Sequence, residues 1–311
     1  MNTHLKKGLF TGGVLVAGSL SYAAHYFYSQ AVGLGEKDFI ESMEMENIYE
    51  NDPWRQEKIW YREVEREVIT IQSYDQLALS GIFVPPKKET NRYMIVAHGY
   101  TSSFKDMAPF VKLFHDLGYG VLVPDARGHG LSEGNYIGFG WHERLDYIRW
   151  ISYLLNRFGE ESQLALYGLS MGAATVLNVS GEKLPPQVKF IIEDCGYSSL
   201  SEEMAHQLKT LYHLPAFPII PLTSALTKIR SGYFFREAAP LKQIKKNKLP
   251  TLFIHGEEDS FVPVHMSKKL YAANPSSKEL HLFPEAKHAE SYVSDKKRYK
   301  AIVESFISTY S

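Results

Sequence analysis

From Tyr93 onward the chain alternates short, almost wholly apolar runs with longer segments of mixed polarity. The runs Met94–Ala97, Gly120–Val123, Leu164–Tyr167 and Phe190–Ile192 have no polar alternation, so both faces of each must be covered. That is the mark of strands in a parallel sheet with helices on both sides. Two more strand-like runs follow, LPTLFIHG and ELHLF. Between them lie segments whose apolar spacing predicts helices over Asp106–Leu117, Trp141–Phe158, Gly172–Val179, Val264–Ala273 and Lys296–Thr309. Ahead of this region, VEREVITIQ and LALSGIFV predict a hairpin with Ser73-Tyr74-Asp75 at the turn. A hairpin followed by repeated strand–helix units is a doubly wound α/β domain.

Two regions depart from this rhythm. About 50 residues separate FIIEDCG from LPTLFIHG, more than a crossover helix needs, and they contain the proline-rich LPAFPIIPL. We read 198–245 as a crossover plus a small helical cap, with an irregular helical pair on the core as the alternative. At the other end, Gly8 to Tyr28 carries no charge; Lys6 and Lys7 precede it and Glu36 is the first acidic residue after it. The stretch is long enough to cross ~30 Å of hydrocarbon as a helix. Basic before and acidic after places the N-terminus inside and the main domain outside the membrane. Residues 1–28 are therefore expected to be a single-pass signal anchor, with Tyr22, Tyr26, Phe27 and Tyr28 as an interfacial belt. The alternatives are a cleaved signal peptide, for which Ser21-Tyr22-Ala23 offers small residues, leaving a secreted protein, and a buried or peripheral helix. Residues 29–63 form an acidic arm in which Phe39, Ile40, Met43 and Ile48 make a partial helical stripe. Asp52-Pro53 is a favourable helix start, with Asp as cap and Pro in the first turn.

Composition narrows the function. The 311 residues carry a formal net charge of −1, and no basic stripe is interleaved with aromatics, so nothing points to nucleic acid. The run Lys242, Lys245, Lys246, Lys248 reads as a solvated helix end. The single cysteine, Cys195, excludes an intramolecular disulfide and a cysteine-based metal site. Gly33-Leu34-Gly35 lacks the further glycine and strand context of a nucleotide loop. No metal or cofactor is expected.

The candidate chemistry sits where a predicted strand meets a predicted helix. Gly168-Leu169-Ser170-Met171-Gly172 follows LALY and opens GAATVLNV. A serine in so sharp a turn needs small neighbours, and the turn lifts its oxygen above the sheet towards the N–H groups of the next helix. With His98-Gly99-Tyr100 after MIVA, Asp125-Ala126-Arg127-Gly128-His129-Gly130-Leu131-Ser132, and His255-Gly256-Glu257-Glu258-Asp259 with Val262-Pro263, the chain from Val64 to Ser311 resembles the α/β-hydrolase family. It is similar to small, N-terminally anchored bacterial esterases and cell-surface hydrolases. The resemblance implies Ser170 as nucleophile, His288 as base and Asp259 as orienting acid, with Asp194 as the rival acid. It implies an oxyanion hole from the backbone N–H groups of Tyr100 and Met171. Arg127, Gly128 and His129 are expected to brace the loop beneath the site. Tyr197 and Phe261 are candidates to line the substrate pocket.

The implied reaction is hydrolysis of a small-molecule carboxylic ester or related acyl compound through an acyl-serine. Peptidase, lipase and thioesterase activities use the same triad. A haloperoxidase-like or acyltransferase activity and a non-catalytic binding module are the readings from other classes.

Overall fold

The computed structural model describes residues 18–35 and 48–311. Its helices and strands are, in chain order, α1 (18–31), α2 (Arg55–Glu63), β1 (Glu67–Gln72), β2 (Ala78–Val84), β3 (Arg92–Ala97), α3 (Ala108–Asp116), β4 (Gly120–Pro124), α4 (Glu143–Phe158), β5 (Gln163–Leu169), α5 (Met171–Val179), β6 (Val188–Asp194), α6 (Leu200–Tyr212), α7 (Ala216–Ser231), α8 (Pro240–Gln243), β7 (Thr251–Gly256), α9 (His265–Ala273), β8 (Lys278–Phe283), α10 (Ser291–Ser294) and α11 (Lys296–Tyr310).

The strands form one eight-stranded sheet in the order β1-β2-β4-β3-β5-β6-β7-β8. β1–β2 and β2–β4 pair antiparallel, and every pair from β4 to β8 is parallel. This is the α/β-hydrolase fold, a doubly wound, mostly parallel α/β sheet. The alternation of each strand sends Met94 and Val96 to one face, where they pack with Phe110, Phe114, Val303 and Phe306 of α3 and α11. Tyr93, Ile95 and Ala97 go to the other face, against Tyr147, Trp150, Leu154 and Val176 of α4 and α5. Both faces are covered, which is why the strands read as continuous apolar runs. The chain leaves β3 for β4 on one side and then returns to β5 on the other. The carboxyl ends of β3 and β5 therefore flank the switch point where open α/β sheets place their ligands.

Two expectations need adjusting. The helix expected from Asp52-Pro53 begins at Arg55, with Trp54 at its N-cap; Asp52 Oδ1 instead accepts the Trp54 N–H at 2.8 Å. The helix expected from Asp106 begins as a 3-10 turn at Phe104–Met107, because Ser103 and Asp106 form a capping box there and Pro109 opens the α-helix proper. Among the described residues no helix is long and apolar enough to cross a membrane. Residues 1–17 and the stripe Phe39, Ile40, Met43 lie outside the described residues. The described part of the uncharged stretch is α1, which lies against the domain. Its inward side carries Ala24, Phe27, Tyr28 and Ala31, at helical spacing, and the next residue, Val32, is fully buried.

Arg127 braces the loop after β4, as expected of it. It is 1% exposed and donates from Nε and Nη2 to both oxygens of Asp146 at 2.8 and 2.7 Å, with Asp75 as a second partner. Removing one member of a buried pair strands the other charge. Arg127→Ala is expected to lower the unfolding free energy by about 3–5 kcal/mol, read as a reduced midpoint in chemical denaturation.

Candidate active site

Ser170 occupies the turn between β5 and α5 with φ 56° and ψ −114°, a left-handed conformation that a side-chain-bearing residue adopts only when held there. Its N–H donates to the Asp194 carbonyl at 2.8 Å, tying the turn to the end of β6. The two flanking glycines are required by space. A Cβ at Gly172 would lie 2.1 Å from the Ala97 carbonyl oxygen, and one at Gly168 would lie 2.2 Å from that of Gly172. The turn is thus pressed against the end of β3, just before His98 and Gly99.

Ser170, His288 and Asp259, named from separate stretches of sequence, are brought into one hydrogen-bonded series. Ser170 Oγ is 2.8 Å from His288 Nε2, and His288 Nδ1 is 2.8 Å from Asp259 Oδ2. A carboxylate only accepts, so His288 carries its proton on Nδ1 and leaves Nε2 to accept from the serine hydroxyl. Asp259 is fully buried at its side chain. Burial alone would raise its pKa, but the hydrogen bonds and electrostatic attraction of the His255 and His288 rings outweigh it and hold the carboxyl down to about 2. The Phe261 and Val262 N–H groups donate to its other oxygen at 2.9 and 2.8 Å. The carboxylate is therefore ionised and fixed in direction throughout the neutral range.

Asp194, the rival acid, is placed differently. Its Oδ2 accepts from Tyr299 Oη at 2.8 Å, and burial pushes its pKa up to about 6. The buried His255 was not singled out from sequence beyond its place in the motif. Its Nε2 donates to the Val262 carbonyl at 2.8 Å and lies 3.3 Å from Asp259 Oδ2, so Asp259 stands between two histidines.

Met171 is the first residue of α5, so its N–H has no partner within the helix. Tyr100 follows Gly99, whose Cα faces the Ser170 Cβ; a Cβ built on Gly99 would be 3.6 Å from it. The Tyr100 hydroxyl donates to the Ala31 carbonyl at 2.7 Å, near the end of α1. His98 joins this loop to the next: Nε2 accepts the Ala126 N–H at 2.9 Å and Nδ1 donates to the Gly99 carbonyl at 2.8 Å. That arrangement fits only the neutral ring, and burial lowers its pKa to about 4.

A pocket opens over Ser170 and Met171, with about 780 Å³ of empty space, open mouth included. Tyr100, Tyr197 and Phe261 all line it; the Phe261 ring lies 4.9 Å from that of His288, and Tyr197 Oη donates to the Phe139 carbonyl. α6 and α7, which lie within the segment 198–245, contribute to the lining. Two contributions escaped the sequence reading. One is α1, which brings Phe27, Gln30 and Ala31 into the wall. The other is the pair Glu203 and Gln207, one turn apart on α6. Gln207 Nε2 donates to Glu203 Oε1 at 2.7 Å and to the Phe261 carbonyl at 2.8 Å. Glu203 Oε2 is buried with no hydrogen-bond partner among the described residues. The spacing of four on a helix was the only signal available for this pair.

Burial, with the Asp259 and Glu202 charges, pushes Glu203 up to about 8, against the smaller opposing effects of Gln207 and His255. The unfolded chain releases this proton near an ordinary glutamate pKa, whereas the folded chain keeps it until about pH 8. The unfolded state binds fewer protons across that window, so stability falls as pH rises through it. Glu203→Gln removes this term. The variant is expected to melt above the parent protein at pH 8, with the gap narrowing as pH falls towards 5; equal melting-temperature differences at both pH values would refute the assignment.

A family model described as serine aminopeptidase, S33, matches residues 88–213 and 220–291. The Bacillus subtilis (strain 168) protein YqkD, itself uncharacterized, is 32% identical over 79% of this chain and 81% of its own length. The lysophosphatidylserine lipase ABHD12 of Rattus norvegicus is 29% identical over 51% of this chain and 39% of its own. Among solved structures, the Pyrococcus furiosus esterase Pf2001 superposes with a TM-score of 0.67 at 24% identity, covering 85% of this chain and 96% of that one.

Proposed function

The chain belongs to the α/β-hydrolases of the serine aminopeptidase S33 family, and from that premise we propose that it hydrolyses carboxylic esters through an acyl-Ser170 intermediate. The observation that carries the reading is the series Ser170–His288–Asp259 opening directly into the pocket. His288 Nε2 takes the serine proton as Oγ attacks the ester carbonyl, and returns it to the leaving alkoxide. Asp259, held ionised, fixes the imidazole tautomer and stabilises the imidazolium. The developing oxyanion meets the Met171 and Tyr100 N–H groups, each such donor being worth about 3 kcal/mol of transition-state stabilisation. Water then repeats the sequence on the acyl-enzyme.

An acyl ester is favoured over a peptide by the lining. Apart from Ser170 and the tyrosines, the polar side chains in the pocket are Gln30, Glu203, Gln207 and Thr223, set among Phe27, Phe139, Met204, Leu208 and Ile220. Such a wall suits an apolar chain with few polar groups. The Gly8–Tyr28 stretch, with its flanking charges, supports attachment to a membrane with the catalytic domain outside.

The test is labelling of the full chain with a fluorophosphonate probe alongside hydrolysis of p-nitrophenyl esters from acetate to palmitate. Labelling is expected to disappear in Ser170→Ala, with kcat reduced about 10⁶-fold; Asp259→Asn is expected to retain labelling at a much lower rate, with kcat reduced about 10⁴-fold. A folded protein that neither labels nor turns over any ester would overturn the reading.

A further inference from the structure

We infer that the outer face of the cap, together with α1, docks on an anionic lipid bilayer, with the active-site pocket opening at the docked surface. The three most exposed large hydrophobic side chains among the described residues are Ile229 at 81%, Phe217 at 77% and Tyr22 at 71%, all on the cap or α1. Leu211, Leu214, Leu222 and Tyr26 add to them on the same elements. The solvent side of α7 is apolar over two turns, with Pro221, Leu222, Ala225 and Ile229 exposed while Thr223 and Thr227 turn inward. That is the reverse of an ordinary surface helix.

These elements form one surface. Tyr26 and Phe27 make edge-on ring contacts with Tyr212 at the end of α6, at 6.3 and 5.0 Å between centroids. Tyr28 Oη hydrogen-bonds Ser231 at the end of α7, and Arg230 reaches His25. The α1–cap seam is therefore also the rim of the pocket: Phe27, Leu211 and Tyr212 line the cavity, and Leu211 is still 41% exposed.

Charge selects the occupant. Residues 204–236 contain Lys209, Lys228, Arg230 and Arg236 and no aspartate or glutamate, and residues 18–35 contain no charged side chain. Glu237, which follows Arg236, pairs with Lys228. Within residues 18–35 and 204–236, the charged side chains of this apolar face are therefore all cations. A second copy would bring like charges together, whereas an anionic headgroup layer meets the cations while its acyl region receives the exposed side chains. The docking stands on this surface alone; delivery of an acyl chain from bilayer to Ser170 rests on the ester-hydrolase reading.

Cys195 is fully buried, so one introduced cysteine can be labelled selectively. The full chain carrying Ile229→Cys with an environment-sensitive nitrobenzoxadiazole label is moved from neutral detergent into vesicles of phosphatidylcholine, with or without phosphatidylglycerol. The label is expected to shift to the blue and brighten severalfold with phosphatidylglycerol, to respond less as salt is raised, and to stay unchanged at an exposed control, Ser305→Cys on α11. Adding Phe217→Glu and Leu222→Glu, neither in the pocket lining, should abolish the shift while leaving p-nitrophenyl acetate hydrolysis intact. A label that stays water-exposed on vesicle-bound protein, or responds equally to phosphatidylcholine alone, overturns the inference. So does a response that grows with protein concentration without lipid, which marks self-association. Fluorophosphonate labelling of Ser170 in the same samples separates the two readings, since a lost shift with retained labelling removes docking alone, and retained shift without labelling removes the ester reading alone.

Discussion

The turn at Ser170 is the constraint from which the rest of the site follows. A non-glycine residue held at positive φ is unfavourable in isolation, and here the sheet imposes it. β5 lies between β3 and β6, so the turn that leaves it is pinned on one side by the Ala97 and His98 carbonyls and on the other by the Asp194 carbonyl. Any side chain at Gly172 would drive the first turn of α5 away from β3 and take Ser170 away from the His98–Tyr100 loop with it. The strain is sustained because the strands beneath are buried on both faces and cannot yield.

The second fixed point is Asp259. It is a buried carboxylate whose two oxygens meet His288, His255 and the Phe261 and Val262 N–H groups, and it remains ionised because these contacts outweigh desolvation. The same economy of loops appears at His98, whose neutral ring ties the turn after β3 to the loop after β4. The loops that meet at the switch point are thus joined to one another by buried polar groups, each with defined donors and acceptors. Buried networks of this kind rigidify when fully satisfied. Among the described residues Glu203 Oε2, Asp194 Oδ1 and His255 Nδ1 are buried around this site without a hydrogen-bond partner.

Much of the fold was readable because the physical signal was local. Strands covered on both faces announce themselves as unbroken apolar runs, and β3 to β8 lie within a few residues of where those runs place them. Helix starts were less legible where side-chain capping competes with the apolar period, as at Ser103–Asp106 and Asp52. The geometry that joins Ser170, His288 and Asp259 rests on residues the sequence motifs named. By contrast, the wall of the pocket was illegible. The α1 contacts with Tyr212 and Ser231 span 185 and 203 residues of chain, so they leave no local trace. Hydropathy reads Gly8–Tyr28 as a uniform span, yet the stripe Ala24, Phe27, Tyr28, Ala31 has a side and that side belongs to the domain.

This division has a consequence for how the pocket is built. The groups that would perform chemistry all hang from the carboxyl ends of sheet strands, on loops fixed by buried hydrogen bonds. The groups that meet the rest of a substrate come from α1 and the cap helices, which are tied to the sheet domain by contacts such as those of Gln207 with the Phe261 carbonyl and of Glu202 with His265 and Lys269. One of those contacts reaches the chemistry directly, because the hydroxyl of Tyr100 is held by the Gln30 and Ala31 carbonyls near the end of α1. Moving α1 must therefore disturb both the pocket wall and the backbone of the loop beside Ser170. A helix that reads as mere attachment is, in the folded chain, part of the boundary that decides what reaches the serine and how the loop above it is held.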